Sequence, residues 1–239
     1  MLSRSLRNLA RDFAALTSGD RIFAAAEDPA GLVISEHLRS QIASLNAEIS
    51  GISATIDKYS AVGAGMVEMD NQLIELRSLA VAAANDGGNS PEAQAAYANA
   101  AENIVKQYNT TIDTAEYNGQ KTLDGSAGSV ATLTKLSGID LSLAEAASAS
   151  IPLIDTATDQ LQQAQVDLGS RQRYDLESRQ SQLEVTRENL IASESNLRDA
   201  DFASYYSSYV ADLIRARVGV AMSAHAALNS AIVLRLLDS

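Results

Sequence analysis

The chain has 239 residues and a formal charge of −12, with 46% hydrophobic residues, 5% aromatics, three prolines, no tryptophan and no cysteine. The missing cysteines exclude disulfides, thiolate metal sites and a thiol nucleophile. The acidic balance, without clustered cations in the body of the chain, argues against a nucleic-acid partner. Abundant alanine, leucine and isoleucine with so few prolines predict a mainly α fold.

In chain order, Leu2, Leu6, Leu9, Phe13 and Leu16 fall at steps of four and three, with Arg4, Arg7 and Arg11 between them. That spacing predicts an amphipathic first helix rather than a secretory leader. Thr17, Ser18, Gly19 and Asp20 end it, and Arg21 to Ala26 form a short extended connector. Asp28 caps the next helix, with Pro29 at its first position. Along that helix Leu38, Ile42, Leu45, Ile49, Ile52, Ile56, Tyr59, Val62, Met66, Met69, Leu73, Leu76, Ala80 and Ala83 keep one face apolar at coiled-coil spacing. The spacing predicts a rod roughly 84 Å long. A repeated step of three at Tyr59–Val62–Met66 predicts an irregularity there, and Gly63 and Gly65 beside it predict a close helix contact or a local change of supercoil.

The rod should stop at Asn85, Asp86, Gly87 and Gly88, the glycines supplying left-handed backbone at its C-terminus. Ser90 and Pro91 start a return helix whose apolar face is Ala93, Tyr97, Ala100, Ile104, Tyr108 and Ile112. Asn118–Gly119 and Asp124–Gly125 mark turns, and Val130–Leu133 and Ile139–Leu143 alternate briefly. One small hairpin is therefore expected within 121–153, a stretch too short for a core of its own. A third helix from about Asp155 to Leu197 carries Leu161, Leu168, Leu176, Leu183, Leu190 and Leu197 at steps of seven or eight, a thin seam that must share a richer one. Asp199 and Asp201 cap a break. The final helix runs from Phe202 towards Leu237; its apolar stretch from Val218 is interrupted by Ser223, His225, Asn229, Ser230 and Arg235, so a packing helix is expected rather than a membrane span.

The expected fold is thus a long antiparallel coiled-coil or helical-bundle rod with a small β-hairpin region and paired terminal helices. Its segments are 1–27 (first helix and connector), 28–120 (rod helices), 121–153 (turn and hairpin), 154–198 (third helix) and 199–239 (final helix). The terminal helices each present an apolar face that one partner helix covers incompletely, so they are expected to become ordered as copies pack together. Tyr205 and Tyr209, on one face of the last helix, are expected to pack between copies. His37 and His225 lie far apart without metal-ligand spacing, and neither a nucleophile–base pair nor a phosphate loop occurs; no enzyme, cofactor or metal function is expected.

Three stretches resemble bacterial flagellin: Leu16–Ile22 with Ala26–Ser35; Leu73–Asn85 with Glu116–Lys121 and Leu123–Gly125; and Glu188–Leu190, Ser193–Ser195 and Leu197–Ala203, ending in Val233–Leu237. The resemblance implies a structural subunit that self-assembles into the flagellar filament for motility. Assembly is assigned to Leu2, Leu6, Leu9 and Phe13 against Leu228, Ile232, Val233, Leu236 and Leu237. It further implies secretion through the type III export apparatus with an export chaperone, an extracellular location, and hook-associated and cap proteins as partners. Members of the family begin further upstream, which implies a shorter first helix here, and the short 121–153 segment implies a thin-walled filament. Arg77 and Leu79 match the family's innate-receptor surface, but Glu75 stands where sensed members carry a basic residue, which implies weak recognition. Two other readings are a hook–filament junction protein of the same family and a surface binding protein or adhesin built on the same scaffold.

Overall fold

The computed structural model describes residues 2–237, with side chains described as far as Ala227. Its elements are α1 (Leu2–Ser18), α2 (Pro29–Ala83), α3 (Pro91–Thr114), β1 (Glu116–Tyr117), β2 (Gln120–Lys121), α4 (Ala144–Ser170), a π-helical segment (Arg171–Glu177), α5 (Ser178–Arg198) and α6 (Phe202–Leu237). The chain is mainly α, with one two-stranded antiparallel sheet among the described residues. It forms two compact units: Glu48–Leu183, and Met1–Ala47 with Glu184–Ser239.

The unit Glu48–Leu183 is closed around the apolar spine. Met66, Met69, Leu73, Leu76, Ala80 and Ala83 of α2 are fully buried against Tyr108 and Ile112 of α3 and against Ile154 and Leu161 of α4. Each large side chain buried in this way stabilises the fold by ~1.5–3 kcal/mol. Gln94 Nε2 donates to the Ala83 carbonyl at 3.1 Å, while the Tyr117 hydroxyl lies 3.5 Å from the Ala54 carbonyl oxygen, so α3 returns antiparallel to α2. α4 is antiparallel as well: Arg77 Nε lies 2.7 Å from Asp155 Oδ1, and Gln165 Nε2 donates to the Met66 carbonyl at 3.2 Å. A Cβ at Gly63 would come within 3.2 Å of Leu168 Cδ2, the close approach expected of that glycine; at Gly65 it would meet nothing within 4 Å.

Four details depart from the sequence reading. Gly87 and Gly88 are not left-handed. Instead, Asn89 Nδ2 donates to the Ala82 carbonyl at 2.8 Å and Gln94 Nε2 to that of Ala83, so side-chain amides take over the orphan carbonyls of α2. The hairpin lies ahead of its expected place: Glu116 pairs with Lys121 and Tyr117 with Gln120 around Asn118–Gly119, both with positive φ, as a two-residue turn with this twist requires.

Residues 122–143 contribute only an isolated bridge, Asp124 to Thr132, because their leucines are used as plugs. Leu123, Leu133, Leu136 and Leu141 are buried in the shared core, and Asn109 clamps the Leu136 backbone from both sides at 2.8 and 2.9 Å. α4 starts at Ala144, well before Asp155, and tolerates Pro152 in its third turn. Finally, α2 is unbroken through Tyr59–Met66, and the irregularity sits in the π segment. That segment contains most of the eight-residue step from Leu168 to Leu176; the wider turn absorbs one extra residue so that the seven-residue seam resumes at Leu183.

The other unit brings together the connector, the start of α2, α5, and the α1–α6 pair. Asp28 Oδ1 accepts from the Gly31 amide at 2.8 Å, the expected cap, and a Cβ at Gly31 would run into that capping carboxylate and come within 2.9 Å of Ile22 Cδ1, so a side chain there would have to displace both the cap and the connector's buried isoleucine.

Candidate assembly surface

α1 and α6 pack antiparallel, as their amphipathic spacing predicts. Leu2 faces Gly219, where a Cβ would come within 3.3 Å of Leu2 Cδ1, and at the other end the Phe13 and Tyr209 rings lie 6.3 Å apart. The seam is thin. Among the described residues of the two helices Ala15 and Ala216 are the buried apolar ones, and alanines bury little area. Much of the apolar surface points away from it: Leu6 is 49% exposed, Phe13 55%, and Phe202, Tyr206, Ile214, Val218, Val220 and Met222 are exposed as well. Phe202 and Tyr206, one turn apart, stack their rings at 6.2 Å with more than half of each residue in solvent.

Of the residues assigned to assembly, Leu2 and Leu9 are half-buried and Leu6 and Phe13 exposed. The side chains of Leu228, Ile232, Val233, Leu236 and Leu237 lie outside the described residues.

A second cluster holds the connector to the end of α5. The Ala200 amide donates to the Gly19 carbonyl at 2.9 Å and the Arg21 amide to that of Arg198 at 2.6 Å, while the Arg21 guanidinium reaches the Leu197 carbonyl. At its centre Arg198 Nη2 contacts Asp20 Oδ2 at 3.2 Å and its Nη1 contacts Glu36 Oε1 at 2.9 Å. The hydrogen bond that Arg198 donates to Asp20 raises the Arg198 pKa further, and the one it donates to Glu36 holds that carboxyl below its ordinary value. Ser35, fully buried, donates to Glu194 Oε1 at 3.1 Å. Asp201 Oδ1 accepts from the amides of Ala203 and Ser204, so it caps α6. The sequence marked both stretches as motifs without showing that they meet; the only signal was that each carries opposite charges beside a helix end.

Two buried acids also escaped the sequence reading. Asp12 and Asp212, 8% and 6% exposed, face each other across the α1–α6 seam. Burial, and then the charge of Asp212, raise the Asp12 pKa, with Arg11 opposing. Both interrupt otherwise apolar helix faces, which was the available clue.

At the surface assigned to innate-receptor contact, Arg77 is tied to Asp155, Leu79 is half-buried against the core and Glu75 is exposed. His37 lies 3.1 Å from Gln41 and His225 is exposed; among the described residues no three potential ligands gather for a metal, and no helix is long and apolar enough to cross a membrane.

This arrangement, with a closed helical unit and a seam of first and last helices, coincides with two family regions. The bacterial flagellin N-terminal helical region matches residues 2–128 and its C-terminal helical region matches residues 151–237. A flagellin of Halalkalibacterium halodurans is 31% identical over 93% of this chain and 89% of its own length. Flagellin FlaB1 of Treponema pallidum is 28% identical over 93% and 90%, and the flagellar filament core protein flaB2 of Brachyspira hyodysenteriae is 28% identical over 97% and 93%. The chain belongs to the bacterial flagellin family.

Proposed function

We propose that the chain is a structural subunit of the bacterial flagellar filament, joined to its copies by repeated head-to-tail contacts that do not close into a ring. The observation that carries this reading is the incomplete cover of the α1–α6 pair. Phe202, Tyr206, Ile214 and Val218, and much of the Phe13 ring, are exposed on the paired first and last helices. Apolar stripes of this extent are normally covered by a partner, and a partner carrying the same stripes is another copy. The assembly residues are Leu2, Leu6, Leu9 and Phe13, with Leu228, Ile232, Val233, Leu236 and Leu237 as their counterparts.

In this reading the subunit leaves the cell through the type III export apparatus with an export chaperone, and acts outside it beside hook-associated and cap proteins. The ion pair of Arg77, the half-buried Leu79 and the charge of Glu75 support weak engagement of an innate immune receptor. Deleting Val233–Ser239 tests the assignment. The shortened chain should stay helical in solution and form no filaments under conditions where the full chain does; filaments of normal length would refute it. Short capped stubs from the full chain would favour a junction role.

A further inference from the structure

The α1–α6 pair is rich in cations within an acidic chain: its two helices carry six arginines and two aspartates, against −12 for the whole sequence. Both aspartates are at the seam, and beside them opens a groove of ~480 Å³ whose lining includes Asn8, Ser207 and Ser208 and the arginines Arg11 and Arg215. Asp212 is partnered by Arg215 Nη1 at 2.9 Å. Arg11, at the rim, is held instead by Glu27 at 2.9 Å. Asp12 therefore has no hydrogen-bond or ion-pair partner among the described residues, although more than nine-tenths of it is buried and it lines the groove. Arg11 offsets its charge only from a distance, and a carboxylate so largely withdrawn from water, open only to the groove, is normally matched by a cation in contact.

The polar wall suits a guanidinium better than an ammonium. Ser207 donates its hydroxyl proton to the Ala203 carbonyl at 2.8 Å, leaving its oxygen able to accept, and Asn8 and Ser208, which also line the groove, each carry a side-chain oxygen. A planar group with five donors can satisfy such a wall at once. On the same helix Arg4 and Arg7 are exposed, unpartnered among the described residues, and lie on one face with Arg11 at i, i+3 and i+7.

We propose that this groove is an arginine socket, filled by Arg4 or Arg7 of a second copy of the chain, so that a buried ion pair with Asp12 fixes the register between copies. The inference rests on the filament reading and deepens it: apolar stripes supply contact area, and the socket selects one alignment from the many that greasy helices permit.

The test is a double-mutant cycle on the full chain, read as the critical concentration for polymerisation in a sedimentation assay. Asp12→Asn and the paired change Arg4→Ala with Arg7→Ala should each raise it about tenfold or more, and the combination should be no worse than either alone. In the unpolymerised chain Asp12→Asn should leave amide protection along α1 equal or higher, since it removes an unmatched buried charge; a residue serving only the helix pair would lower it. Additive losses, an unchanged critical concentration, or reduced α1 protection would overturn the proposal, as would coupling of Asp12 to Arg217→Ala instead. If the unaltered chain never sediments as polymer, the filament reading itself fails and takes the socket with it, an outcome distinct from polymerisation with an additive cycle.

Discussion

The unit Glu48–Leu183 and the α1–α6 pair are built from the same kind of sequence, amphipathic helices with apolar residues at steps of three and four, and they end in opposite states. In the first, α2 is sandwiched by α3, α4 and the leucines of 122–143, and its spine from Met66 to Ala83 is inaccessible. In the second, the two helices pack chiefly on each other, Ala15 and Ala216 are the buried apolar residues among those described on them, and the rings of Phe13, Phe202 and Tyr206 remain largely in solvent. Periodicity thus establishes that a helix has an apolar face; the number of neighbouring elements decides whether one chain can cover it.

The contrast can be broken or sharpened by measurement. The largest effect is expected from Leu73→Ala, which opens a cavity in the closed core and should cost ~3 kcal/mol in denaturant unfolding. Alkali should act on the same unit through Tyr108, whose phenol burial pushes up to about 12. Because its folded value lies above its unfolded value of 10.0, the stabilisation is complete below about pH 10 and lost as pH rises towards 12, which a spectroscopic tyrosinate titration coincident with unfolding would report. Asn109→Ala strands the Leu136 amide and carbonyl and should cost ~2 kcal/mol, with amide exchange rising first around Leu133–Leu136.

Acid should separate two parts of the other unit by sign. Glu36, with its pKa lowered by Arg198, contributes stability that is lost as pH falls below the ordinary carboxylate range; Asp12, with its pKa raised by burial, is relieved by protonation in that same descent. Amide exchange followed downward from neutrality should therefore loosen the connector clamp while protecting α1. The smallest effect on the lone chain is expected from Phe13→Ala, below ~1 kcal/mol because the ring is already half in water, yet filament formation should fall sharply. A loss of several kcal/mol from that change would erase the distinction between the two regions.

The helices were legible wherever a repeating face met a clear boundary residue: Asp28 and Pro29 set the start of α2, Ser90 and Pro91 that of α3, and Asp201 that of α6. The α1–α6 pairing was legible from the order of the helices. What escaped was decided by partners distant in sequence. Asn89 and Gln94 replaced the glycines as the terminator of α2 because their amides happened to reach Ala82 and Ala83. Leu133 and Leu141 looked like strand residues by alternation and became plugs in the core shared with α3 and α4. The eight-residue step at Leu168–Leu176 was visible, but whether it or the three-residue step in α2 would distort could not be decided without both helices side by side. Asp12 and Arg198 left only faint local marks, a charge interrupting an apolar face and a charge beside a helix end, since each takes its meaning from residues far along the chain.

Glu48–Leu183 is a continuous stretch whose contacts can all form as soon as it is present, whereas the other unit joins 1–47 to 184–239 and stays unfinished until the very last helix arrives. Whichever terminus enters a new environment first, the bookends meet only after everything between them has been delivered. The sticky rings and the arginine socket therefore come into being last, and the order of arrival itself delays association until the molecule is whole.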